Sequence, residues 1–161
     1  MLETEGKLAL IKQMPHMMSA LVATEFGIRG HVGATSVASA ASTVAIGEAF
    51  RLIKDGYMDI VLVGGLDYNC DGSVIDGMNA FGAVTTSFNA DPEAACRPFD
   101  VKRSGTVLSD GGGMILLESL ESAKSRKAKN IYAEISGFGM TCDAYHILRP
   151  TDTGVGLIKA I

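Results

Sequence analysis

The chain has 161 residues, of which 47% are hydrophobic and 20% are charged, with a formal net charge of −4. This length and apolar content can form one hydrophobic core, so we expect one domain, or part of one, rather than a disordered chain. No basic stripe is interleaved with aromatic residues, which argues against nucleic-acid binding. No apolar run reaches the length of a membrane span, and no signal or transit peptide begins the sequence.

The cysteines and glycines do not form a metal or phosphate motif. Cys70, Cys96 and Cys142 are widely spaced, without a CxxC pair or a Cys/His cluster, so zinc is not expected. The glycine run 111–113 lacks the Lys-Ser/Thr of a phosphate-binding loop. An odd cysteine count without a signal peptide predicts a reducing compartment and no secretion. We therefore expect no metal and no cofactor.

The first part of the chain predicts strands alternating with helices. A helix is predicted over residues 15–26, ending at Gly27, and a second over residues 39–54. Buried strands are predicted over residues 32–38 and 59–65. Strand, helix and strand in this order predict a right-handed βαβ unit, in which residues 59–65 form a central parallel strand.

The second part predicts shorter elements with antiparallel pairing, so the fold class is mixed α/β. The predicted elements are a short helix at 70–78, a turn-rich loop at 85–104, strands at 106–108, 113–118 and 131–137, and helices at 120–128 and 154–161. The sequence begins in a helical pattern and stops inside another. We therefore expect both ends to be cut from a longer chain.

The helix predicted from residue 39 begins with small residues and could lie at the centre of a protein, close to other backbones. Ser39 would stand in its first turn, at the positive end of the helix dipole, where nucleophiles are often placed. A helix N-cap is the simpler interpretation of a serine there. A serine-hydrolase elbow is rejected, because Val37 and Ala41 occupy its glycine positions.

A series of ordered motifs lies at residues 29–30, 59–65, 97–100, 103–105, 110–118, 123–128, 131–139 and 143–146. Together these motifs resemble the β-ketoacyl-[acyl carrier protein] synthases of fatty-acid synthesis. The likeness extends from about residue 15 onward, and so many ordered matches are more specific than one short motif.

The resemblance implies a thiolase-like fold of two similar α/β halves. This chain, residues 1–161, would be one partial domain, holding the later part of the first half and the start of the second, with a mixed sheet and buried helices. Family members are acyltransferases of lipid metabolism that condense an acyl chain, held on a cysteine, with malonyl-carrier protein, releasing carbon dioxide. The implied partners are an acyl carrier protein and another chain or a second copy. Bacterial cytosol, mitochondrion and plastid all host the family.

The chain departs from the family pattern at the nucleophile. Ser39 occupies the cysteine position, and Ala40, Ala41 and Ser42 also differ, which favours natural divergence over a single engineered replacement. A helix dipole can ionise a thiol but cannot ionise a serine hydroxyl without a general base. The family's two catalytic histidines and its lysine would lie beyond Ile161. We therefore expect the chain alone to be inactive.

Other positions carry weaker expectations. Met78 stands where the family often has a phenylalanine near the acyl pocket, so it is a candidate substrate-binding residue, with core packing as the alternative. Ser104 replaces a common aspartate and Thr106 a common phenylalanine, which changes the local loop packing. His146 could be read as a base, but we favour a structural role in which it hydrogen-bonds a loop.

Two further functions remain open at this point. The chain could be a degenerate synthase retained as a structural or protein-interaction subunit of a larger assembly. It could also form a split enzyme in which a second chain supplies the missing residues.

Overall fold

The computed structural model describes residue 11 and residues 14–161. They form two compact units. The first contains the described residues up to Val63 together with Ile115–Ile161, and the second is Gly64–Met114. Within these residues, the helices are α1 (Met17–Phe26), α2 (Ala41–Lys54), α3 (Gly72–Ala80), α4 (Leu120–Ser125) and α5 (Val155–Ala160), and the strands are β1 (Ile60–Asp67) and β2 (Gly111–Glu118).

Helix α1 confirms the helix predicted over residues 15–26, with a start two residues later. Gly27 ends it with a left-handed backbone at φ 63°, and the following N–H of Ile28 donates to the Ala23 carbonyl at 2.8 Å. This is the geometry for which a glycine after a helix is favoured. The helical pattern in residues 6–10 lies outside the described residues.

Helix α2 lies in the first unit and begins at residue 41, two residues later than predicted. It buries Val44, Gly47 and Ala49, whereas Ser42 and Thr43 in its first turn are exposed. The expectation that the start of this helix lies at the centre of a protein is therefore wrong within the described residues. Gly56, with φ 75°, follows the helix.

Strands β1 and β2 form an antiparallel pair. The Ser119 N–H donates to the Asp59 carbonyl at 2.9 Å, and Gly64 lies directly against Gly113. The strand predicted over 59–65 is confirmed, but the parallel pairing predicted for it is wrong, because its neighbour is β2. Its partner is 50 residues further along the chain, and hydropathy does not reveal which strand pairs with which.

Three predicted strands are absent from the described part of the chain. Residues 32–38 contribute only an isolated bridge between Val37 and Ser39, and residues 131–137 are irregular. The predicted βαβ unit is therefore not formed here. Residues 106–108 make one bridge, between Thr106 and Val84. A strand exists only where a neighbour supplies a hydrogen-bonding ladder, and these apolar segments find none in the residues described.

Helices α3, α4 and α5 confirm the three short helices predicted in the second part. The predicted loop over 85–104 contains a single 3-10 turn, Pro92–Ala94. Large apolar side chains remain exposed, among them Phe26 at 70%, Tyr132 at 95% and Leu157 at 69%. Their exposure leaves apolar surface uncovered among the described residues.

Candidate functional site

Ser39 lies in a tight turn immediately before α2. The Ala40 N–H donates to the Val37 carbonyl at 3.3 Å, and the Ala41 N–H donates to the Ala38 carbonyl at 3.0 Å. Ala38 has φ 50°, a left-handed conformation that costs an L-residue about 1 kcal/mol or more. The turn presents the Ser39 side chain to solvent.

The structure corrects the expected role of Ser39 in the helix. Ala40 is the N-cap of α2 and makes no side-chain capping bond, so Ser39 stands one residue ahead of the cap rather than in the first turn. Within the described residues, no hydrogen bond joins Ser39 Oγ to a side chain that could act as a base. An alcohol needs such a group to become a nucleophile.

His146 has the structural role that the sequence favours. Its Nδ1 accepts the Leu148 N–H at 3.0 Å and the Arg149 N–H at 3.1 Å. A ring nitrogen that accepts must be unprotonated, so the proton of the neutral ring is on Nε2. The imidazole thus holds the loop that follows it.

Met78 lies on α3 in the second unit and is half-buried. Asp71 caps the start of this helix by accepting from the Ser73 hydroxyl and, at 2.9 Å, from the Ser73 N–H. These two bonds, the hydroxyl first, lower the pKa of Asp71 below its ordinary value. Capping by aspartate satisfies N–H groups that the first turn leaves unpaired.

Asp110 holds the segment that leads into α3. Its Oδ1 accepts the Asn69 N–H at 2.7 Å and the Cys70 N–H at 2.8 Å. The bond from Cys70, followed by that from Asn69, lowers the pKa of Asp110. A carboxylate that accepts two backbone N–H groups is favoured in its charged form.

The end of α3 is held by hydroxyl groups. The Ala83 N–H donates to the Met78 carbonyl at 3.0 Å, and the Ala83 carbonyl accepts from both the N–H and the hydroxyl of Thr106. The hydroxyls of Thr85 and Ser104 are 2.6 Å apart. Sequence reasoning identified Ser104 and Thr106 only as departures from a pattern, because their partners lie about 20 residues away along the chain.

The first unit also has an open cavity of about 290 Å³, and sequence reasoning did not single out its residues as a group. It is lined by His31, Glu48, Arg51, Leu52, Asp55 and Tyr57. The Thr35 hydroxyl donates to Glu48 at 2.8 Å. In the residues that the structure describes, no three His, Cys, Asp or Glu side chains are arranged to hold a metal ion. The three cysteines are exposed and unpaired with one another.

The helices and the antiparallel strand pair form a partial α/β domain, and its likeness to solved ketosynthases, at a TM-score of 0.83, makes it a domain of the thiolase-like class. A profile of the β-ketoacyl synthase N-terminal domain matches residues 2–123, and the chain therefore belongs to the β-ketoacyl synthase family.

Named relatives agree with this assignment. The chain is 43% identical over 148 residues to 3-oxoacyl-[acyl-carrier-protein] synthase 2 of Staphylococcus aureus, a match that covers 92% of this chain and 36% of the relative. It is 39% identical over 150 residues to the mitochondrial 3-oxoacyl-[acyl-carrier-protein] synthase of Arabidopsis thaliana, covering 93% of this chain and 32% of the relative. The chain thus spans about a third of the length of these curated relatives.

Solved structures show the same fold. A β-ketoacyl synthase from Burkholderia phymatum STM815 matches with a TM-score of 0.83 and 34% identity, over 91% of this chain and 36% of that one. A type II polyketide ketosynthase, bound to a hexaketide and in complex with its acyl-carrier protein, matches with a TM-score of 0.83 and 33% identity, over 89% of this chain and 35% of that one.

Across the residues with a described structure, none of the helices combines the length and the apolar character that crossing a bilayer requires.

Proposed function

We propose that the chain carries the acyl-accepting position of a β-ketoacyl-[acyl carrier protein] synthase and that, alone, it does not catalyse the condensation. In that reaction an acyl group is transferred to the enzyme, and malonyl-carrier protein then loses carbon dioxide as its α-carbon attacks the acyl carbonyl. Family membership supports the reaction class. The match to only about a third of each relative supports the lack of independent activity.

The observation that carries this proposal is the setting of Ser39. The residue stands in a strained, solvent-facing turn just before a long helix, which suits a nucleophile presented to a carrier-bound substrate. We infer that it occupies the position of the family's cysteine. A serine there needs a base to attack a thioester, and none of the described side chains bonds to its hydroxyl.

We further propose that Met78 lines the acyl site. Its half-buried place on α3 leaves part of the thioether accessible. Methionine is flexible and adapts to apolar ligands of different shape, which suits contact with an acyl chain.

For partners, we propose an acyl carrier protein and a second polypeptide, either another chain or a second copy. The carrier is supported by the type II ketosynthase in complex with its acyl-carrier protein. The second polypeptide is supported by exposed apolar side chains such as Leu157 and Ile158, both 69% exposed.

An activity assay with a matched pair of variants tests the proposal. The chain, its Ser39→Ala variant and its Ser39→Cys variant are each incubated with an acyl-carrier protein and malonyl-carrier protein labelled in the free carboxyl group. We expect the unmodified chain to release labelled carbon dioxide and form β-ketoacyl product no faster than Ser39→Ala. The proposal would be overturned if the unmodified chain forms product and the Ser39→Ala replacement abolishes that product.

A further inference from the structure

We propose that the segment 104–110 is a clasp that holds α3 at both ends, and that Thr106 is the positioning residue that sets the place of Met78. The inference rests on the proposed function in one respect, the assignment of Met78 to the acyl site. All the residues concerned lie within the second unit.

The link from Thr106 to Met78 passes through one residue. Thr106 donates twice to the Ala83 carbonyl, from its N–H at 2.8 Å and from its hydroxyl at 3.0 Å. The N–H of Ala83 in turn donates to the Met78 carbonyl at 3.0 Å. Hydrogen bonds in such a chain polarise and strengthen one another, so the hydroxyl contributes to the bond made on the Met78 backbone.

The neighbouring contacts close the same end of α3. The Thr85 N–H donates to the Thr106 carbonyl at 3.0 Å, and the hydroxyls of Thr85 and Ser104 are 2.6 Å apart. Gly105 joins Ser104 to Thr106 with φ 145°, and a Cβ at this position would lie 2.6 Å from the Thr85 nitrogen. Only glycine permits this approach, so the two hydroxyls are held against residues 83–85 by the backbone itself.

Asp110 completes the clasp at the other end of α3. It accepts the N–H groups of Asn69 and Cys70, the two residues that precede the capping Asp71. A segment of seven residues therefore bonds the chain both before and after α3. Met78 lies between the Asp110 bonds that precede α3 and the Thr106 bonds that follow it, so a shift of its backbone along the helix would strain one of these two sets of bonds.

The test uses the methyl carbon signals of 13C-methyl-methionine protein and amide hydrogen exchange. The Met78 signal is assigned with Met78→Leu. Thr106→Val removes the hydroxyl at nearly constant shape, Thr106→Ser retains it, and Thr86→Val removes a neighbouring exposed hydroxyl that makes no hydrogen bond among the described residues.

Thr106→Val loses the hydrogen bond from the Thr106 hydroxyl to the Ala83 carbonyl, and we expect it to shift the Met78 signal. Exchange of the Ala83 N–H should become roughly fivefold faster, which corresponds to the loss of one hydrogen bond from the clasp. Thr106→Ser should restore both, and Thr86→Val should change neither. A Met78 signal and an Ala83 exchange rate in Thr106→Val that match those in Thr86→Val would overturn the proposal.

A titration with dodecanoyl-pantetheine separates this inference from the proposed function. If the probe fails to move the Met78 signal of the unmodified chain, the assignment of Met78 to the acyl site is wrong, while the clasp is judged by the variants alone. If the probe binds, we expect a several-fold weaker Kd in Thr106→Val that Thr106→Ser restores. An unchanged Kd in Thr106→Val would overturn the role of the clasp in the acyl site.

Discussion

The aromatic ring of Phe138 lies directly against the backbone of Gly47 in α2. Arg51, one turn further along the same helix, places its guanidinium carbon 5.0 Å from the centroid of that ring. Gly47 is buried, and a methyl group at its Cα would overlap the ring. This contact requires a glycine at position 47, because a larger side chain would collide with the ring. It holds α2, the helix that follows Ser39, in place.

Replacing this glycine should destabilise the first unit. Gly47→Ala gains about 1 kcal/mol of helix propensity, but forcing a methyl group into the contact costs about 1–3 kcal/mol. We expect a net loss of up to about 2 kcal/mol in the free energy of unfolding, measured by urea denaturation.

A second glycine provides the control for this prediction. Gly77 lies inside α3, with no atom within 4 Å of the place its Cβ would take. Gly77→Ala should therefore stabilise the protein by about 0.5–1 kcal/mol. If both variants change stability in the same direction, the contact between Gly47 and Phe138 does not constrain the helix.

The ion pair between Glu118 and Arg126 predicts a pH dependence. Arg126 Nε lies 2.8 Å from each carboxylate oxygen of Glu118, and Ser122 donates to the same carboxylate at 2.8 Å. The Arg126 hydrogen bonds, more than that from Ser122, hold the pKa of Glu118 below its ordinary value of 4.5. The stabilisation is present above pH 4.5 and is lost as the pH falls through the lowered pKa of the folded chain.

Arg126→Met should therefore lower the urea midpoint at neutral pH and approach the unmodified chain as the pH falls below 4.5. Lys124→Met, two residues earlier in α4, is the control and should show no such convergence, since Lys124 makes no ion pair within the described residues. A difference between Arg126→Met and the unmodified chain that stays constant from pH 7 to about pH 3 would contradict the role of this ion pair.

Asp110 should protect two specific backbone amides. Asp110→Ala removes the acceptor of the Asn69 and Cys70 N–H groups, so both should exchange faster, by roughly tenfold for bonds to a charged acceptor. Because the pKa of Asp110 is lowered from its ordinary value of 3.8, the carboxylate stays charged to lower pH, and the same protection is lost in the unmodified chain only as the pH falls through that lowered pKa. Unchanged exchange in Asp110→Ala would show that the two amides are protected by other contacts.

Much of the helical structure could be predicted because its signals are local. Gly27 and Gly56 end α1 and α2 with the left-handed backbone that glycine favours. Ser119 caps α4 by accepting the Ser122 N–H at 3.2 Å, next to the apolar residue that begins the helix. Each of these signals acts within a few residues, so the sequence pattern contains it.

The strands and the site could be predicted only in part because they depend on distant partners. Residues 32–38 have the apolar content of a buried strand, but no ladder forms there among the described residues. Ser39 is not the N-cap because the first helical hydrogen bond runs from the Val44 N–H to the Ala40 carbonyl, at 2.9 Å, which makes Ala40 the cap. The bond from Thr106 to Ala83 joins residues 23 positions apart and the bond from Asn69 to Asp110 joins residues 41 positions apart, separations that no local pattern spans.

We expect the hydroxyl of Ser39 to accept no acyl group from a carrier thioester. Intact-mass spectrometry of the chain after incubation with an excess of acyl-carrier protein measures this, with Ser39→Ala treated in parallel. Both proteins should keep their unmodified mass. A stoichiometric acyl adduct that peptide mapping places on Ser39, and that is absent from Ser39→Ala, would show that Ser39 is an acyl acceptor.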